Sequence, residues 1–195
     1  MSKLFFLVFF FCYFYFALAQ KADLKALKTI NQTDLPKWDK AMKNLSFTAY
    51  PIAPASVSGI LFHGYFKKDK VLIRNGYKST IALVLAMGIS TGTKYLFQRM
   101  RPAIKYPNDI VARDHSSTYS FPSGHTTAAF ATATALTLTY NKWYVAVPAY
   151  TYASFIGYSR MRLGMHYPTD VLGGIIAGIG SGLLTWKLDH ILKRK

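Results

Sequence analysis

Three short stretches of the chain carry the residues able to do chemistry. The first runs Lys94-Tyr95-Leu96-Phe97-Gln98-Arg99-Met100-Arg101-Pro102, and the second is Pro122-Ser123-Gly124-His125. The third runs from Ser159 through Arg160 and His166 to Asp170. Arg presents a planar fork matched to phosphate oxygens, and Lys presents a point charge. Ser123 is a good helix N-cap and Gly124 lets a ligand approach the backbone. The free N–H groups and dipole of a helix start attract an anion, with His125 beside it. His166 lies just before Pro168, which suits the first turn of a helix. Asp170, four residues on, reaches back to one imidazole nitrogen and leaves the other as a nucleophile. Together these residues describe a site that holds a phosphate and attacks it. Each stretch alone also has a plain reading: Lys and Arg at helix ends are commonly interfacial anchors, and a His can follow an N-cap for no chemical reason.

The elements that must position these residues are apolar. The 195-residue chain fits one domain, is 51% hydrophobic, and carries 24 Lys+Arg against 8 Asp+Glu, for a formal charge of +16. That balance calls for an anionic partner. Nucleic acid is excluded as the partner, because the basic residues separate long apolar runs and form no stripe or known motif. The lone Cys12 excludes a disulfide framework.

Residues 1–19 form a Phe-rich run after Lys3, ending Ala17-Leu18-Ala19. This is the pattern of a secretory signal peptide, with a first transmembrane helix as the alternative. Residues 20–46 are polar and basic, with Leu24, Leu27 and Ile30 at helical spacing. They read as amphipathic helices on a membrane surface or as a packed N-terminal flap. Residues 47–195 form the remaining domain, with apolar segments at about 47–66, 79–97, 125–140, 143–158 and 171–186. Gly174, Gly178 and Gly182, and likewise Gly88 with Gly92, recur at helix-packing spacing. If 79–101 is one helix, Lys94 and Arg101 lie two turns apart on one side. Lys67, Lys68, Lys70, Arg74 and Lys78 and the tail Lys193-Arg194-Lys195 belong inside by the positive-inside rule. All three stretches then fall outside, on one face, with 98–124 expected as a loop over them.

The spacing within the stretches adds a resemblance. Lys, six residues, Arg-Pro; Pro-Ser-Gly-His; and Ser-Arg, five residues, His, three residues, Asp match the tripartite signature of the type 2 phosphatidic acid phosphatase superfamily over about residues 80–186. The resemblance implies that Lys94, Arg101 and Arg160 bind phosphoryl oxygens, helped by Ser123 and the Gly124 amide. It implies that His166 attacks phosphorus, Asp170 orients His166, and His125 protonates the leaving oxygen, with no metal or other cofactor. The expected fold is all-α, a membrane-embedded bundle of five to six short transmembrane helices with the active site at one membrane face. The expected partner is a lipid phosphate or diphosphate, in a bacterial cell envelope with the site facing the periplasm or outside. A secreted soluble acid phosphatase, a vanadate-dependent haloperoxidase and a non-enzymatic anion-binding membrane protein are the other readings. Arg162 is expected to be structural or interfacial, His63 to pack between helices, and His115 and His190 to be ordinary solvated residues.

Overall fold

The computed structural model describes residues 21–32, 35–115 and 119–192. The expected leader at 1–19 and Cys12 lie outside the described residues. The described chain is helical: α1 (residues 21–31), α2 (Pro36–Lys67), α3 (Lys70–Phe97), α4 (Pro102–Lys105), α5 (Gly124–Tyr140), α6 (Trp143–Arg162) and α7 (Pro168–Leu192). α2 opens on Pro36, whose missing N–H costs nothing in a first turn. It then runs on through Pro51 and Pro54. Lys68, at φ 55°, closes α2. Asp69 accepts from the Val71 and Leu72 amides and starts α3 at once. Both helices are therefore longer than the apolar windows 47–66 and 79–97. The Asp69 cap supports the polar first turn of α3, whereas Leu35 before α2 offers no side-chain cap and Pro36 removes one of the amides that would need a partner.

α5 is the central helix and touches α2, α3, α6 and α7. Its sequence is rich in Ala and Thr, which suits a helix wrapped by others. Thr127, Thr132, Thr134 and Thr137 each donate to the carbonyl four residues back, so their hydroxyls can be buried with a partner. By contrast α2, α3 and α7 are long and apolar enough to cross a membrane. They turn large apolar side chains outward, among them Phe47, Phe62, Phe66, Val84 and Ile176. The chain is an all-helical membrane bundle.

The two glycine stripes have different fates. A Cβ on Gly174 would lie 2.8 Å from the Ser123 carbonyl oxygen, and one on Gly178 would lie 2.7 Å from that of Thr127. Gly182 similarly faces Thr134. These residues let α7 lie against the α5 backbone. Gly88 and Gly92 have open space around them, so that expected packing face is not used by the described residues.

Of the two readings of 20–46, surface helices or a packed flap, the described residues 21–32 follow the second. α1 packs inward: Leu27 is fully buried in a cluster with Ile110 and Tyr167. Asn31, also fully buried, donates to the carbonyls of Val111 and Arg162 and accepts from the Val111 amide. Residues 36–46 are simply the first three turns of α2. The C-terminal ends of α3 and α6 and the N-terminal ends of α5 and α7 meet at the end of the bundle that α1 covers.

Gly178→Leu should lower the thermal midpoint of the detergent-solubilised protein by the equivalent of about 2 kcal/mol or more through overpacking against α5. Gly88→Leu should leave it within the error of the measurement.

Candidate active site

The three stretches converge. α3 ends at Phe97, because Gln98 takes φ 45° and its amide bonds back to the Lys94 carbonyl. Lys94 and Arg101 are therefore not two turns apart on one helix. Arg101 is extended and precedes Pro102 at the start of α4. The chain turns there, which brings Arg101 into the bundle, where it is buried. Its Nη1 donates to the Met165 carbonyl at 2.9 Å and lies 3.1 Å from His166 Nε2. Lys94 Nζ donates to the carbonyls of Tyr119 and Pro122, at 2.9 and 2.7 Å. It thereby ties the end of α3 to the segment leading into α5.

Ser123 occupies the N-cap position of α5, but its side chain caps no amide. Its Oγ accepts from Thr126 Oγ1 instead. Its amide donates to the Asp170 carbonyl at 3.0 Å, which joins the second stretch to the third. His125 stands in the first turn with its ring 4.2 Å from the Tyr50 ring, centroid to centroid. The Tyr50 hydroxyl also lies 3.0 Å from where a Gly124 Cβ would be, so any side chain at 124 would crowd it. Tyr50 belongs to α2, and the signature gave no sign of it.

α6 ends at Arg162, and the turn after it depends on Gly164. This residue sits at φ 74° with the Val111 carbonyl 2.5 Å from its would-be Cβ. The turn buries His166 two residues before α7, rather than in its first turn. An arginine offers only donors, so His166 Nε2 beside Arg101 must be the unprotonated nitrogen. The proton then sits on Nδ1, which lies 3.5 Å from Asp170 Oδ2, with the Ser120 backbone also close to the ring. Burial, followed by the charges of Arg101, Arg160 and Lys94, holds His166 well below the usual imidazole range. The ring is neutral, with a lone pair toward the cations.

Arg160 Nη1 donates to Ser46 Oγ at 2.8 Å and to Asp114 Oδ2 at 2.9 Å, while its buried Nε has no partner among the described residues. Asp114 lies in the segment after α4. Burial opposes its ionisation, but the Arg160 bond and the His115 amide outweigh this and lower its pKa overall. Asp114, His115, Arg101, Ala103, Ile104, Ala112 and Met165 line a cavity of about 580 Å³ that opens beside the cations. His115 therefore lies at the mouth of the site. Arg162 is structural as expected: it is buried, its Nε donates to Asp39, and its Nη1 donates to the Ile30 carbonyl. His63 lies 3.4 Å from the Tyr140 hydroxyl, between helices.

One residue inside the first stretch went unread. Arg99 Nη1 donates to Asp170 Oδ1 at 2.6 Å, and its Nη2 donates to Asp23 of α1 at 2.7 Å. The only sequence hint was a third cation between Lys94 and Arg101.

Known proteins resemble this chain in sequence and in fold. The pattern of the PAP2 superfamily matches residues 77–194. A lipid A 1-phosphatase of Porphyromonas gingivalis is 31% identical over 172 residues, which are 86% of this chain and 35% of that protein. An undecaprenyl-diphosphatase of Sulfolobus acidocaldarius is 25% identical over 167 residues, 86% of this chain and 78% of that protein. This chain thus spans about a third of the first relative's length and most of the second's. The crystal structure of a transmembrane PAP2-type phosphatidylglycerolphosphate phosphatase from Bacillus subtilis superposes with a TM-score of 0.73 at 25% identity, covering 91% of this chain and 89% of that one.

The Arg160–Asp114 ion pair competes with any phosphate for the guanidinium. Asp114→Asn should tighten orthovanadate inhibition by about 5-fold, the equivalent of about 1 kcal/mol for a partly exposed charged hydrogen bond. An inhibition constant that is unchanged or weaker would show that Asp114 does not oppose the anion.

Proposed function

The chain belongs to the PAP2 superfamily, and on that premise we propose that it is an integral membrane phosphatase that hydrolyses a lipid phosphate or diphosphate through a phosphohistidine. The observation that carries the mechanism is His166, a neutral imidazole with Nε2 beside Arg101 and Nδ1 facing Asp170. Arg101, Arg160 and Lys94, with the amides at the start of α5, take the phosphoryl oxygens. Phosphoryl transfer needs mainly such positioning and charge stabilisation. His166 Nε2 forms a bond to phosphorus as the bond to the lipid oxygen breaks. His125, whose pKa burial and then the Arg160 charge push down to about 3, takes up a proton as the anionic phosphate binds and gives it to that oxygen. A water then attacks phosphorus, His125 takes the water's proton, and the P–N bond breaks to release inorganic phosphate. Asp170 stabilises the imidazolium that forms in between.

The substrate reading rests on the mouth of the site. Ile104 is exposed on α4 beside Arg101, so apolar and charged surface meet where a headgroup joins its chains. Lys21, Lys25, Lys37, Lys40 and Lys43 are exposed on α1 and the first turns of α2, the two elements that close over the site. A headgroup with anionic groups beyond the scissile phosphate suits that rim, so among lipid phosphates a lipid A–type substrate fits best. The opposite end of the bundle carries Lys67, Lys68, Lys70, Arg74 and Lys78. By the positive-inside rule that basic loop supports a cytoplasmic end there and a site on the periplasmic or outer face, against which the lysines of α1 and the first turns of α2 count mildly.

The test is phosphate release from lipid A 1-phosphate, undecaprenyl diphosphate and phosphatidylglycerophosphate side by side. Lipid A phosphate should have the highest kcat/KM, with an advantage that shrinks as salt rises. His166→Ala should lose at least about 1,000-fold in kcat and form no acid-labile phosphoprotein. His125→Ala should lose about 100-fold or more. EDTA should leave the rate unchanged. A fully active His166→Ala protein would sink the mechanism.

A further inference from the structure

We infer that Arg99, anchored by Asp23 of α1, is the positioning residue for the Asp170–His166 pair, so that the N-terminal helix completes the active site. The inference rests on the catalytic roles proposed above for His166 and Asp170. It concerns two residues that those roles do not include.

Asp170 is fully buried. A buried carboxylate stays ionised only with a bonded cation, and only an ionised, fixed carboxylate can hold the Nδ1 proton of a neighbouring imidazole in place. Lys94 and Arg101 stand close enough to influence Asp170, but both donate to carbonyl groups and face the phosphate side. Arg99 is the cation bonded to it, through Nη1 and Oδ1 at 2.6 Å. Oδ2, the oxygen toward His166, accepts from the Tyr167 amide at 2.9 Å, and the Ser120 hydroxyl bonds the same carboxylate. Arg99 thus fixes one oxygen so that the other can serve the imidazole.

Arg99 is itself held from three sides. Its guanidinium carbon lies 3.9 Å from the centroid of the Tyr167 ring. Nη1 also donates to Thr169 Oγ1 at 2.7 Å, and Nη2 donates to Asp23 Oδ2 at 2.7 Å. Asp23 is nearly fully buried. Its Oδ1 accepts the Thr169 amide at 3.0 Å, and the Thr169 hydroxyl donates to its Oδ2. Asp23 therefore does two things across chain segments. It pairs with Arg99, and it satisfies a first-turn amide of α7, the helix that carries Asp170. Asp23 lies outside the matched family pattern, which begins at residue 77.

Two buried carboxylates sharing one guanidinium give the arrangement a sign that can be tested. The groups facing Asp170 are Arg99 and, from α1, Asp23; His166 and Tyr167 from the α6–α7 turn; and Lys94 and Arg101 from the end of α3 and beyond it. Arg99→Gln removes the shared cation and leaves the two carboxylates opposed. One should then take up a proton at a pH where the native pair is ionised. When Asp170 takes it, His166 loses its acceptor.

The experiment measures kcat and KM against pH for the full chain in detergent micelles, using the best lipid substrate of the panel. Arg99→Gln should lower kcat at neutral pH by about 10- to 100-fold with KM within about 2-fold, because Arg99 does not touch the phosphate. Its acid limb should move up by at least about one pH unit. The double variant Asp23→Asn/Arg99→Gln should recover part of the rate and move the limb back. A merely structural role predicts a double variant no better than the single one. Arg99→Lys, which keeps the charge but not the fork, should fall between. Should Arg99→Gln fail to fold, Asp23→Asn and Arg99→Lys carry the test, each expected to lower kcat several-fold at constant KM. Lys28→Ala, which loses only an ion pair from α1 to Asp109, should behave as wild type. Wild-type kcat and pH profile in Arg99→Gln, or no recovery in the double variant, would overturn the inference while leaving the phosphatase reading intact. If the wild-type chain hydrolyses none of the panel, that reading fails instead, and the same variants are then compared by orthovanadate affinity. Arg99→Gln should bind at least about 10-fold more weakly, with partial recovery in the double variant, and equal affinity would overturn the inference.

Discussion

The hydrogen bond from the Ser123 amide to the Asp170 carbonyl, 3.0 Å long, sets the spacing on which the site depends. It requires the first turns of α5 and α7 to lie backbone to backbone. Gly174 and Gly178 make that approach possible, since a Cβ on either would fall within 2.8 Å of a main-chain oxygen of α5 or of the residue before it. Once the two helix starts are locked, their free amides and positive dipole ends sit side by side, with His125 and Asp170 carried in register. His166, two residues ahead of α7, has little freedom left. A helix pair packed through larger residues would sit farther apart, and the histidines would separate with it.

The second constraint is charge. A bundle end that concentrates several buried cations needs compensation, and this chain has few acids to give. All eight are aspartates. Of those described, Asp69 caps α3, and each of the others is paired with a Lys or Arg from a different segment. The pairing sorts the cations. Arg162 and Arg113 share Asp39 and hold α2 to the end of α6. Arg99 is spent on Asp23 and Asp170. Arg101 and Lys94 donate to main-chain carbonyl groups rather than to one of the described aspartates. Arg160 lies between these cases, paired with an aspartate at the cavity mouth that an anion can displace.

This sorting explains what could be read from the sequence. The membrane bundle, the meeting of the three stretches and the Gly174–Gly178–Gly182 face were legible, because hydropathy, short motifs and small-residue spacing are local patterns. The helix ends were less so. A window of apolar residues misses polar first turns that capping supports, as at Asp69. The placement of Arg101 was misread because a left-handed Gln98 leaves no mark in composition. Tyr50, Ser46, Asp114 and Asp23 were invisible as site residues, since each reaches the site from a segment without a motif. The unused signal was scarcity: in a chain with so few carboxylates, a buried-pattern aspartate such as Asp23, one residue before the Leu24–Leu27 stripe, has a particular cation to answer for.

Scarcity also bears on how the active site could be adapted. The three stretches supply the groups proposed above to meet the phosphate. Their electrostatic setting is supplied from elsewhere: Asp23 from α1, Asp39 and Ser46 from α2, and Asp114 from the cavity wall. Those elements also carry the lysine rim and the mouth that meets the headgroup. On the proposed function, substrate choice and the tuning of the Asp170 carboxylate then lie on the same pieces of chain. A change in α1 that alters the rim also acts on Arg99, and through it on Asp170, whereas a change at an outward-facing residue of α3 or α7 such as Val84 or Ile176 is remote from these bonds.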